Sequence, residues 1–112
     1  MSDNYTEQEA QLRKSFKALA DHAVTMSPYT SLHVAAVEEG ALSTKIKELM
    51  ALGIAIVKQC EGCMLYHLRN ALKAGADQRE IYEAADVAIM MGGGPAVVYA
   101  AKLNEMLPSL EE

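Results

Sequence analysis

Apolar residues recur along this chain at helical spacing, and nowhere do they alternate as a strand would. Leu12, Phe16, Leu19, Ala23 and Met26 fall three or four residues apart, which predicts a first helix from about Thr6 to Thr25. Ser27-Pro28 reads as a cap followed by a proline at the first helical position. The second helix carries Tyr29, Leu32 and Ala36 on one face and stops at Gly40. Ser43 or Thr44 caps a third, whose main apolar stripe is Ile46, Leu49, Met50, Gly53 and Val57. No charge occurs from Leu49 to Val57, so this helix is expected to be buried nearly all round. Glu48 lies roughly opposite the stripe, beside Ala51, Leu52 and Ala55, where a carboxylate would be partly buried.

The fourth helix begins near Cys60 or Glu61 and ends at Gly75, and Asp77 with Glu80 has the form of a capping box for a fifth. That helix holds Ile81, Tyr82, Ala85, Ala88 and Ile89 and ends or bends at Gly92-Gly93-Gly94. Pro95 opens a sixth, with Val98, Tyr99 and Leu103, which Pro108 is expected to stop. The pattern therefore predicts an all-α bundle of about six helices in a single domain spanning residues 1–112.

Composition narrows the function classes. Of 112 residues, 51% are hydrophobic but only 5% aromatic, so the core must rest on Ala, Leu, Ile, Val and the seven Met. That apolar content excludes a disordered chain. A net charge of −5 argues against nucleic acid as a partner. Val87–Ala101 is the nearest candidate for a membrane span and carries no charge, but it is too short and is broken by the glycines and Pro95. The polar N-terminus has no secretory or transit pattern, which makes a reducing, cytoplasmic setting the expectation. A chain this small and this apolar has more hydrophobic surface than it can cover alone, so a homo-oligomer is expected, with the third helix and Val87–Ala101 in its interfaces.

The candidate chemistry sits on the fourth helix. Cys60, Cys63 and His67 stand at i, i+3 and i+7 and share a face, while Arg69 and Lys73 point away. Met64 and Ala71 share the face too, so the thiols are expected to look inward and to be reached through a cleft. A thiolate is the reactive form of cysteine, and a helix N-terminus stabilises it. His67 is placed to exchange a proton, and Glu48 to orient its imidazole. On one continuous helix Glu48 and Cys60 would be about 18 Å apart, so a relay requires a turn near Gln59–Gly62 or a bridging water.

Blander readings exist for the same residues. The thiols would fit two inert buried cysteines, and with His67 and Glu48 they would also make four zinc ligands on an unusually constrained helical face. The preferred reading calls for no metal and no cofactor. His22 and His33 have no partner that the sequence indicates and read as surface histidines. Ile89, Met90 and Met91 read as core or interface, Tyr99 as core, and Glu111-Glu112 as a solvated tail. The triple glycine lacks the Lys-Ser/Thr of a phosphate loop and reads as close helix packing.

Glu48, Cys60-Glu61-Gly62-Cys63, His67, Ala71 and Gly75-Ala76, together with Met91-Gly92-Gly93-Gly94-Pro95-Ala96, resemble the carboxymuconolactone decarboxylase/AhpD-like superfamily. The resemblance covers roughly residues 28–106. It implies an AhpD-like helical bundle assembled as a homotrimer or homohexamer, and a thiol-dependent peroxidase or disulfide oxidoreductase. Its substrate would be a small alkyl hydroperoxide and its partner a dithiol electron donor. Carried over by position, Cys63 would attack the peroxide, Cys60 would resolve the sulfenic acid, and Glu48 and His67 would form the proton relay. Two-cysteine antioxidant members have a histidine where this chain has Gly62, so the relay here would be shorter or water-mediated. The alternatives are a decarboxylase-like enzyme, whose branch lacks the C-x-x-C pair, and a non-redox binding module on the same fold.

Overall fold

The computed structural model describes residues 4–111; the predicted polar stretch at Met1–Asp3 and the tail residue Glu112 lie outside the described residues. Seven helices follow one another without a strand among the described residues: α1 (Tyr5–Ala20), α2 (Met26–Val37), α3 (Thr44–Val57), α4 (Glu61–Lys73), α5 (Gln78–Gly92), α6 (Gly94–Ala100) and α7 (Leu103–Glu111). All six predicted elements are present, the sixth in two pieces separated by a turn at residues 101–102.

Pro108 does not stop the chain but lies inside α7. The helix is held there by apolar burial, because Leu103, Met106, Leu107 and Leu110 all face the core. Pro28 likewise falls at the third position of α2 rather than the first. A proline within the first turn lacks only an N–H that has no helical partner, so it sets where the break before it must lie. That break is residues 21–25, which ends α1 at Ala20 instead of Thr25. Helix α2 ends at Val37, three residues short of Gly40.

The caps explain most other boundaries. The Ser43 hydroxyl accepts from the Ile46 N–H, and the Thr44 hydroxyl reaches back to the Val37 carbonyl at 2.6 Å, tying α3 to the end of α2. Helix α3 ends with the Cys60 N–H donating to Ala55 and the Gln59 N–H to Ile56, and Gln59 has a left-handed backbone with φ 58°. Helix α4 ends the same way, with Ala76 N–H to Ala71, Gly75 N–H to Leu72 and Gly75 at φ 99°. Both are Schellman ends, one with the usual glycine and one without. The first supplies the turn expected near Gln59 and lets α4 pack back against α3. The Asp77–Glu80 capping box forms at the start of α5, and Lys45 of α3 pairs with the same Glu80 at 2.8 Å.

The core is centred on α3, α4 and α5, with Leu52, Ile56, Met64, Leu68 and Ile81 fully enclosed, and α7 closes it with Leu103, Met106 and Leu107. Here α3 corrects the expectation. Its buried residues are Glu48, Leu49, Leu52, Ala55 and Ile56, while Ile46, Met50, Ile54 and Val57 are exposed. The side opposite the predicted stripe faces the core, because the Glu48 side is the one that meets the α4 and α5 helices. In α1 the buried residues are Tyr5 and Glu9, and the predicted Phe16 and Leu19 are exposed.

Candidate functional site

Glu48 is the centre of the site. It lies in the α3 face that packs on α4, and only 2% of it is exposed. A carboxylate in that position must have its oxygens satisfied. One accepts from Nδ1 of His67 at 2.7 Å, and the other from Nε2 of His33 at 3.0 Å. The three residues come from α3, α4 and α2, and both imidazoles are only half-buried.

Tyr66 closes the outer side of this group. Its ring lies edge-on to His67 at 5.1 Å and tilted against His33 at 5.4 Å, with the Tyr66 hydroxyl 3.4 Å from Nδ1 of His33. Phe16 of α1 packs edge-on against the same tyrosine at 6.0 Å. A shallow pocket of about 310 Å³, lined by His33, Thr44, Glu48, Asn70, Lys73 and Ala74, opens beside the carboxylate.

Cys60 and Cys63 are joined by a disulfide, with Cα atoms 5.2 Å apart. Cys60 is the N-cap of α4, and its sulfur accepts the Cys63 N–H at 3.2 Å. Both sulfurs are therefore at the positive end of α4. Contrary to the inward cleft expected from the helical face, Cys63 is exposed and Cys60 half-buried. The two cysteines stand at the N-terminal end of α4, ahead of its enclosed residues, which begin at Met64. His67 lies one turn along α4 from Cys63. Among the described residues no hydrogen bond runs from either sulfur to His67 or Glu48.

Of the four residues singled out by sequence, Glu48 and His67 meet directly and Cys60 and Cys63 meet directly, and the two pairs are linked through α4, which carries Cys63 and His67 one turn apart. His33 was read as a surface histidine and is instead the second donor to Glu48. No spacing in the sequence links it to the others, since α2 is aligned only by the fold. Tyr66 was also missed. His22 is exposed, as expected.

A second polar group adjoins this one. Glu9, 7% exposed, receives two bonds of 2.7 Å from the Arg69 guanidinium, which also donates to the Leu110 carbonyl at 2.9 Å. The Arg69 hydrogen bonds hold the Glu9 carboxyl below its ordinary value, against the opposing effect of burial, and Arg69 is raised in turn. Arg69 thus does not point away into solvent but fastens α4 to α1 and α7.

The model of the carboxymuconolactone decarboxylase family matches residues 24–105, most of the chain and all of the site. The chain belongs to this family. Its carboxymuconolactone decarboxylase fold is similar to the crystal structure of an apo family protein from Legionella pneumophila, at 35% identity and a TM-score of 0.79, covering 97% of this chain and 95% of that one. It is also similar to a family protein from Thermotoga maritima with a possible role in antioxidative response, at 28% identity and a TM-score of 0.74, covering 90% and 87% of the two chains. Among sequences, an uncharacterized protein of Cupriavidus necator is 34% identical over 93 residues, 82% of each chain. An uncharacterized protein in the cox locus of Paracoccus denitrificans is 36% identical over 73 residues, about two thirds of each.

Proposed function

We propose that the protein is a thiol-dependent oxidoreductase that reduces small alkyl hydroperoxides through Cys60 and Cys63. The observation that carries this reading is the disulfide at the N-terminus of α4, one turn from an imidazole held by a buried carboxylate. The antioxidative role suggested for the Thermotoga relative supports it.

Cys63 is the more exposed sulfur and takes the attacking role. In the reduced protein its thiolate attacks the terminal peroxide oxygen, the O–O bond breaks, and the alkoxide leaves with a proton as an alcohol. His67 delivers that proton through water, and Glu48 holds the ring in orientation. The Cys60 thiol then condenses with the Cys63 sulfenic acid, releasing water and closing the disulfide. An external dithiol donor restores both thiols by exchange and leaves as its own disulfide.

The working unit is a homotrimer or homohexamer. Met50 and Ile54 on α3, Val87, Met90 and Met91 on α5, and Val98 on α6 are all exposed on helices that adjoin one another, and Met90 and Met91 are 72% and 74% exposed. So much apolar surface on one region is characteristic of an interface.

The test is peroxide consumption with a dithiol reductant by wild type, Cys60→Ser and Cys63→Ser. Cys63→Ser is expected to be inactive. Cys60→Ser is expected to turn over at most once and to accumulate sulfenic acid. If the three proteins behave alike, the proposal fails.

A further inference from the structure

His33, Glu48 and His67 are carried by three different helices, yet their donor atoms all lie within 4.8 Å of one another. We propose that this trio is a binding site for one divalent transition ion of the zinc class. The donor set is two imidazoles and a carboxylate, which suits zinc and its neighbours better than the oxygen-seeking calcium or magnesium. The site differs from a cysteine-based zinc centre. Cys60 and Cys63 are joined to each other and offer no thiolate, and His33 takes their place in the ligand set.

The geometry needs only a local change. The ring nitrogens now donate to Glu48 at 3.0 and 2.7 Å. An ion bound at about 2.0–2.2 Å from each donor takes the place of those two N–H hydrogens, with the rings swinging outward by on the order of 1 Å. Both rings are half-buried and have solvent on one side, so they can move without opening the core. Each neutral imidazole shifts its proton to its other nitrogen, so no proton is lost overall. For His33 that nitrogen is Nδ1, which then donates to the Tyr66 hydroxyl 3.4 Å away. The ion also compensates the Glu48 charge, which is otherwise enclosed by protein. Its remaining coordination position faces the pocket lined by Thr44, Asn70 and Lys73, where water or a small anion completes the shell and the Lys73 ammonium favours the anion.

Given the relay proposed above, an ion here occupies the lone pairs that the relay uses, so zinc inhibits peroxide turnover. The binding itself does not depend on that reading. It is tested by titrating Zn²⁺ into the oxidised protein by calorimetry, with Co²⁺ as a visible-absorption reporter of coordination geometry. The expected result is one ion per chain and a Co²⁺ spectrum of a nitrogen- and oxygen-ligated site. His33→Gln and His67→Gln are each expected to weaken binding by at least ~10-fold, with folding checked by circular dichroism, and His22→Gln to leave it unchanged. No binding, or binding that ignores His33→Gln and His67→Gln, overturns the proposal, as does loss of binding in His22→Gln. Because oxidised protein has no free thiol, failure of the peroxidase reading leaves this result untouched. Binding without inhibition of turnover would instead count against the relay.

Discussion

Glu48 has both oxygens committed to imidazoles, so an amide in its place can serve only one of them. Glu48→Gln must turn its NH₂ toward one ring, which then loses the acceptor that orients it. If His67 is the proton donor, kcat/KM for peroxide is expected to fall by at least ~10²-fold, the usual scale of general acid–base assistance. His33→Gln should cost much less, because the His67 bond survives. Steady-state assays of the two variants side by side separate these roles. At Gln59 the prediction concerns stability. Its φ of 58° is a backbone conformation that side chains disfavour, at the Schellman position where glycine is usual. Gln59→Gly is expected to raise stability by about 0.5–1 kcal/mol in urea melts. The Glu48–His67 pairing was legible in the sequence because a turn near Gln59 is the only simple way to bring them together. His33 was not, because its alignment depends on how α2 is laid over α3, and nothing in its own spacing records that.

Helix boundaries marked by a specific hydrogen bond were readable, as at Ser43, the Asp77–Glu80 box and Gly75. Helix faces were not always so. From Leu49 to Val57 every residue of α3 is uncharged and nearly all are apolar, so periodicity cannot say which side meets the core. The polar Glu48 decides it in the opposite sense from the usual rule, being buried by its partners. The Glu9–Arg69 clamp was also invisible, since its members are 60 residues apart. Arg69→Met leaves Glu9 enclosed without a cation and is expected to cost about 2–3 kcal/mol, at the low side because Arg69 stays partly exposed. Adding Glu9→Leu should restore much of that loss. The Glu9 carboxyl lies below its ordinary value of 4.5 in the fold, so the unfolded chain takes up the proton first. The clamp is therefore fully stabilising at neutral pH, and its contribution disappears as pH falls below 4.5 and through the lower folded value. Acid titrations of wild type and the double variant, followed by circular dichroism, should diverge in that window. Between α5 and α6, a Cβ on Gly92 would stand 2.8 Å from the Cβ of buried Ala96. Gly92→Ala is expected to lower stability by about 1–3 kcal/mol in thermal melts; close packing accounts for Gly92 alone, since a Cβ on Gly93 or Gly94 would meet nothing and Gly93 is set instead by its φ of 70°.

At the scale of the whole molecule, apolar residues outnumber what one chain encloses. Tyr29, Leu32 and Val34 on α2 add to the exposed α3, α5 and α6 side chains. The excess was evident from composition, and part of it lies in Val87–Ala101, where Val87, Met90, Met91, Val97 and Val98 are exposed. If the proposed oligomer forms through that surface, Met90→Lys combined with Val98→Lys places two charges in it and is expected to shift the species seen by light scattering toward monomer relative to wild type. Helix α2 shows a further consequence. It contributes no buried residue, and its hold on the rest includes the Thr44–Val37 bond and the His33–Glu48 bond. A segment with so little enclosed surface opens locally long before the domain unfolds. Amide exchange in α2 should therefore run well ahead of that in α3 and α4. Each opening carries His33 off Glu48 and leaves one carboxylate oxygen to solvent, so the occupancy of the complete trio is set by how firmly a peripheral helix is pinned down.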